Sequence, residues 1–363
     1  MKRHFLSSVL FAALAAAIIP SAFVLAQTGA APAASKPAPA AKAATAKTEK
    51  AWTPKKTPWG DPDLQGVWND ATSTPLQRPA GKGEAVLNEE QADQFAEQLA
   101  NDLSRDRRDG GNEVDVNRAY NEHWMDARRL KITQDRRTSL IVDPPDGRIP
   151  PTVQISPERQ KLRAERNAAA ARFNAGMPDV ATELSLPIRC IIRTDSPPYL
   201  PTIYNNDFQI FQSPGYVVIG PEMIHSARII PLDGRPHLGP TLKQWLGDTR
   251  GHFEGNTLVI ETTNFRPDDG TVYQGANPDT FKITERFTRV ADDAINYEFT
   301  VSDPLTWTKP WTAMVPWTKI DPKEQMYEYM CHEDNFDIVH LLSGARAREK
   351  NPALNLQQPT KTR

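Results

Sequence analysis

The chain has 363 residues, with 43 Lys+Arg against 45 Asp+Glu. Residues 1–58 hold eight of those bases and one of the acids, which leaves 35 bases against 44 acids and a formal charge of −9 on the remainder. A surface of that sign is repelled by a phosphate backbone, so nucleic acid is not an expected partner. The 19 glycines form neither a G-x-G-x-x-G run nor a Walker pattern, and no nucleotide cofactor is expected.

The first element in chain order is a leader. Lys2, Arg3 and His4 precede an apolar run from Phe5 to Ala26 that Pro20 interrupts, and Val24-Leu25-Ala26 offers a cleavage site before Gln27. This reads as a secretory signal peptide. Its apolar part falls short of the ~20 uninterrupted residues of a spanning helix, so no stable membrane insertion is expected and the mature chain is expected in the periplasm or outside the cell. Residues 27–58, rich in Ala, Pro and Lys, have too little apolar bulk to offset the entropy of ordering and read as a disordered tether. A single domain is expected over 59–350, followed by a flexible tail over 351–363.

Most of that domain alternates apolar and polar residues at period two, as half-buried strands require. The expected strands are Asp63 to Asn69, Ser139 to Val142, Phe208 to Gln212, Tyr216 to Ile219, Met223 to Ile230, Thr257 to Thr263, Phe281 to Val290, Ile295 to Val301, Trp311 to Thr318 and Met326 to Cys331. Ser213-Pro214-Gly215, Glu254-Gly255-Asn256 and Ala291-Asp292-Asp293 are hairpin turns by length and composition. Asn88, followed by Glu89 and Glu90, caps a helix running to about residue 107. Ser156 with Pro157 opens a second helix to about Asn174, and a third short helix fits Phe336 to Gly344. The thin apolar faces of the first two place them outside the sheet. The expected fold is mainly β: an antiparallel β-barrel, or a sandwich, with two or three peripheral helices.

Cys190 and Cys331 are the two cysteines of a chain read as exported. A disulfide between them is the first reading. The rival is a thiolate metal ligand beside His332, but no second Cys stands at C-x-x-C spacing, and no histidine pair has the spacing of a familiar local metal site.

Gly66-Val67-Trp68 has the Gly-x-Trp form seen at the start of lipocalin-like (calycin) barrels, where the tryptophan plugs the closed end; a core tryptophan in any β protein is the plainer reading. Longer phrases resemble a large group of uncharacterised exported bacterial proteins. They are TPWGDPDLQGVW (57–68), DRRTSLIVDPPDGRIPP (135–151), YNNDFQIFQSPGYVVIGPEMIHSARIIPLDGRPH (204–237), GDTRGHFEGNTLVIETTNF (247–265), ITERFTRV (283–290), DPLTWTKPWT (303–312), and YEYMCHEDN with LSGARA (327–346). The resemblance implies one domain and brings no activity, cofactor or substrate.

The chemistry therefore rests on residue patterns. PEMIHSARIIPLDGRPH (221–237) concentrates ionisable groups next to an expected strand. On a regular strand His225 faces away from Glu222, and Arg228 shares the face of Glu222 and Ile230. Arg228 turned inward demands a carboxylate partner. One reading is catalytic, a cofactor-independent hydrolase, lyase or isomerase in which His225 is general acid or base, Asp207 or Glu222 orients it, and Arg228 holds an anion. The other is a non-catalytic barrel binding a small apolar or glycosidic molecule, with Tyr204, Asn205, Asn206, Gln209 and His237 as ligand-binding residues at a barrel mouth. Plainer alternatives stand beside both: a packed core histidine, an Asx-rich turn at 204–207, and structural Asp-Arg pairs in the turns at 135–137 and 233–235. Trp307, Trp311 and Trp317 read either as an aromatic platform or, by the shared parity of the last two, as core.

Overall fold

The computed structural model describes residues 52–103, 131–193, 196–224, 226–266, 275–321 and 323–351. These belong to one compact unit, Ala51–Arg363. The expected leader, the end of the first helix beyond residue 103, and His225 lie outside the described residues.

The strands are β1 (Gly66–Asn69), β2 (Ile141–Asp143), β3 (Asp207–Ser213), β4 (Tyr216–Pro221), β5 (Arg228–Pro231), β6 (Asp248–Glu254), β7 (Thr257–Thr263), β8 (Lys282–Ala291), β9 (Ala294–Ser302) and β10 (Trp311–Lys319). They form one ten-stranded antiparallel sheet in the order β5-β4-β3-β1-β10-β9-β8-β7-β6, with β2 added on β10. The sheet curls into a nearly closed barrel, so the barrel rather than the sandwich is realised. At the seam, β5 and β6 meet through side chains. A Cβ added to Gly251 of β6 would stand 2.7 Å from Ile230 Cγ2 and 2.9 Å from Leu232 Cδ2, so glycine is what lets the two strands approach.

Three tight connections, β3–β4, β6–β7 and β8–β9, gather at one end of the barrel, with Gly215 and Gly255 supplying the positive φ of the first two. The longer connections, including 222–227 and 303–310, therefore gather at the other. At the hairpin end the barrel is plugged. Trp68 is fully buried and donates its indole N–H to the Leu64 carbonyl at 3.0 Å. The Arg289 guanidinium lies 5.4 Å from the Trp68 ring and donates to the carbonyls of Asp63 and Asp292. Gln212 accepts from Leu64 N and donates to Pro62 O, sealing the same segment.

Alternation decides what fills the lumen. Phe208 and Ile210, Val217 and Ile219, Leu258 and Ile260, Ile283 and Phe287, and the four inward residues of β9 are all buried. Trp311, Ala313, Val315 and Trp317 line β10, and Trp317 stacks on Phe208 at 4.6 Å between ring centroids. Trp307, Trp311 and Trp317 are core. Pro316 sits mid-strand without breaking the ladder. Met314 N donates to Leu140 O away from β9, so position 316 faces the same side, in the interval between the residues paired to β2 and those paired to β1.

Three helices are present among the described residues: α1 (Glu89–Leu103), α2 (Pro157–Asn174) and α3 (Asp337–Lys350). Asn88 and Gln91 exchange side-chain bonds with each other's backbone N–H, a reciprocal cap that fixes the start of α1. Ser156 Oγ accepts from Arg159 N at the start of α2, which has no buried residue. Cys190 and Cys331 form a disulfide, with Cα atoms 5.7 Å apart.

Two expectations need correction. Met326 to Cys331 is not a strand: Tyr327, Glu328 and Met330 are all exposed and none of the six residues is buried, so the segment has no apolar face set against the sheet. Met223 to Ile230 is a strand only from Arg228. Ile224 has φ +67°, a left-handed conformation that breaks the pleat, so the alternation assumed for Glu222 and His225 does not apply.

Candidate functional site

The polar segment before β3 is built as a bracket. Asn205 takes φ +54°, a conformation asparagine tolerates, and turns the chain. Asn206 is buried, and its side-chain oxygen accepts from Thr202 N at 2.7 Å while its carbonyl accepts from Asp70 N. Asp207 Oδ1 accepts from Asn69 Nδ2 at 2.7 Å, which joins the start of β3 to the end of β1. The ladder continues past Pro221, since Glu222 N donates to Asp207 O at 2.8 Å. The half-buried Tyr204 has the Arg193 guanidinium 5.3 Å from its ring. Tyr204, Asn205, Asn206, Asp207 and Glu222 thus adjoin one another where the β4–β5 connection leaves the barrel, and the buried Asp70 lies beside them. Gln209 does not join them. It is paired with Val67 and Gly220 and has the parity opposite to Phe208 and Ile210, so it faces outward.

Arg228 opens β5 and turns into the lumen. Its side chain is 1% exposed, and its partner Glu285 on β8 is 0% exposed. The guanidinium donates to Glu285 Oε1 at 3.1 Å and Oε2 at 2.6 Å, to Tyr199 Oη at 3.0 Å and to Thr262 Oγ1 at 3.1 Å. Four of its five N–H groups are used, and Nε has no partner among the described residues. Tyr297 Oη donates to Glu285 Oε1 at 2.9 Å and accepts from Tyr199 N at 3.1 Å. Burial pulls the guanidinium towards deprotonation, but the Glu285 carboxylate and the Tyr199 oxygen outweigh it and hold the group above its ordinary range. Burial pushes the Tyr297 phenol well above its ordinary value, and the adjacent Glu285 charge adds to the effect.

The inward Arg228 therefore finds a carboxylate, as its position demands, and that carboxylate is Glu285. Glu285 is the residue that pattern reading passed over. The signal was present in Ile283-Thr284-Glu285-Arg286-Phe287, where the acid shares the parity of two core apolar residues. The network ties both segments that flank the polar bracket, since Tyr199 begins the 199–207 stretch and Arg228 ends the 222–227 connection.

His237 lies elsewhere, on the outer wall. Its Nδ1 is 2.8 Å from Asp248 Oδ2 and its Nε2 3.3 Å from Glu261 Oε1. Asp248 also accepts from Leu238 N and from Arg250, whose Nε donates to the Pro236 carbonyl. These bonds fasten the connection after β5 to the outside of β6 and β7. His237 thus stands apart from the bracket. The Asp135-Arg137 and Asp233-Arg235 pairs are ion pairs within their own turns.

The architecture is an antiparallel barrel with a plugged end, a lumen filled with aromatic and apolar side chains around one buried ion pair, and a polar bracket among its longer connections. Scanned against protein-family models and against curated proteins, the chain matches none, so the resemblance to exported bacterial proteins rests on its phrases alone. Among the described residues no group of three or more His, Cys, Asp or Glu side chains is arranged to hold a metal ion. No described helix is long and apolar enough to cross a membrane.

Proposed function

We propose that this is an exported barrel protein that binds a small glycosidic ligand at the end of the barrel where the longer connections gather, using the bracket formed by 204–207 and Glu222 together with the β4–β5 connection. The observation that carries this reading is the contrast between a filled lumen and a polar edge. Trp68, Trp311, Trp317, Tyr199 and Tyr297 occupy the interior, while Tyr204, Asn205 and Glu222 remain half-buried above it. Amides, carboxylates and an aromatic ring side by side suit vicinal hydroxyls and the apolar face of a sugar better than a purely apolar molecule. Export is supported by the phrases of the leader and by the disulfide, a bond that persists in oxidising compartments.

The test is a thermal-shift screen of mono- and disaccharides against the mature chain, repeated on Asn205→Gly and Tyr204→Phe. Glycine keeps the φ +54° backbone and removes the amide, so it separates recognition from folding. The reading expects a saturable stabilisation by at least one saccharide that both variants weaken. Shifts of equal size in wild type and both variants, or none at millimolar sugar, refute it. In the catalytic alternative His225→Gln abolishes turnover of such a ligand while leaving its binding intact.

A further inference from the structure

The C-terminal segment exposes four large apolar side chains. Tyr327 is 73% exposed, Met330 58%, Phe336 57% and Val339 63%, all within thirteen residues. Large side chains exposed together in this way mark an interaction surface rather than scattered surface residues. From Cys331 onward the segment is held at three places. Cys331 is bonded to Cys190, Asn335 Nδ2 donates to Ile188 O, and at the far end of α3 Arg346 and Arg348 donate to the carbonyls of Pro178, Asp179 and Gly176. These anchors use polar groups and the disulfide and leave the four apolar side chains outside.

Charge selects the occupant. Glu328, Glu333, Asp334 and Asp337 are exposed among the apolar residues, and the sequence from Met326 to Ala345 contains no lysine or arginine. A second copy docked symmetrically would set this acidic patch against itself. An anionic lipid surface is repelled for the same reason. We infer that this surface docks a cationic amphipathic segment of another protein, a helix with apolar residues on one face and Lys or Arg flanking it. The apolar face would cover Tyr327, Met330, Phe336 and Val339, and the bases would meet the four carboxylates. This inference does not depend on the ligand reading above.

The probe is a fluorescein-labelled eighteen-residue Leu/Lys peptide with helical amphipathic spacing, titrated against the mature chain by anisotropy. Saturable binding is expected, weakening at least tenfold between 50 and 300 mM salt, a range over which the Debye length falls from roughly 14 Å to roughly 6 Å. Tyr327→Ser with Phe336→Ser, and separately Glu328→Gln with Glu333→Gln, should each lower affinity at least tenfold while circular dichroism and the melting temperature stay unchanged. These positions are exposed, so the fold does not depend on them. Equal affinity in either double variant overturns the inference. So does equal binding of a sequence-scrambled Leu/Lys peptide of the same charge, of a Leu/Glu amphipathic peptide, or of phosphatidylglycerol vesicles.

Discussion

Replacing Glu285 by glutamine removes one negative charge and almost no volume from the middle of the barrel. The carboxylate accepts two bonds from Arg228 and one from the Tyr297 hydroxyl, and neither charged partner reaches solvent. The amide that replaces it has one oxygen and presents an NH2 to a guanidinium that can only donate. A buried cation left without its counter-charge costs about 3 to 5 kcal/mol, a large share of the roughly 5 to 15 kcal/mol that holds a domain folded. With a urea m-value near 3 kcal/mol/M, the midpoint should fall by roughly 1 to 1.7 M. The double variant Arg228→Met, Glu285→Leu removes both charges and keeps apolar volume, so it should recover most of the loss, because a buried pair against apolar isosteres is near neutral. Urea unfolding followed by tryptophan fluorescence reads both variants. A Glu285→Gln midpoint within about 0.3 M of wild type, which at this m-value is under about 1 kcal/mol, or a double variant less stable than the single, would refute the assignment of this pair as a mutually dependent buried unit.

Further outcomes follow from the same geometry. Because burial raises the Tyr297 pKa above its ordinary 10.0, the folded state holds its proton more tightly than the unfolded chain. The resulting stability is complete below about pH 10 and is lost as pH rises towards the folded value; absorbance at 295 nm should show this phenol ionising only as the protein unfolds, and Tyr297→Phe should remove that coupling. Tyr297→Phe should also cost about 1 to 3 kcal/mol in urea unfolding, because Tyr199 N and Glu285 each lose a buried partner. Cys190→Ser with Cys331→Ser opens a covalent loop of sequence separation 141 and should lower stability by up to about 5 kcal/mol in the chain-entropy model; a melting temperature insensitive to dithiothreitol would contradict it. Gly251→Ala places a methyl group against Ile230 and Leu232 at the barrel seam and should destabilise by about 1 to 3 kcal/mol in thermal unfolding, with a neutral result showing that β5 and β6 can part without loss.

How far the fold was legible depended on whether both faces of a strand differed. β8, β9 and β10 alternate cleanly and are bounded by turn residues, so their period alone identifies them. β6, Asp248–Glu254, escaped that reading because only the last of its inward positions, Thr249, Gly251 and Phe253, is a large apolar side chain and its outward ones are polar or charged, so one phenylalanine is all that marks an apolar period. Met326 to Cys331 has the aromatic content of a strand, yet none of its side chains is buried, and composition cannot report whether a segment finds a sheet to cover it. Arg228 was readable as conditional, since an inward guanidinium requires an acid, but its partner lies 57 residues away and only the curvature of the sheet brings Glu285 opposite it. The bracket at 204–207 was visible as a cluster of polar residues. Its junctions with Asn69 and Glu222 depend on strand order, which one-dimensional spacing does not carry.

The disulfide has a mechanical consequence. Cys190 precedes β3 and Cys331 follows β10, so eight of the ten strands, β3 to β10, lie inside the covalent loop that the bond closes. A pull applied between the two ends of the chain passes along the segment that carries β1 and β2 to Cys190, crosses the sulfur bridge and leaves through α3. The enclosed strands bear no direct load. Under tension the segment carrying β1 peels from β3 and β10 first, and the remaining wall stays tethered as an intact loop until the bond is reduced.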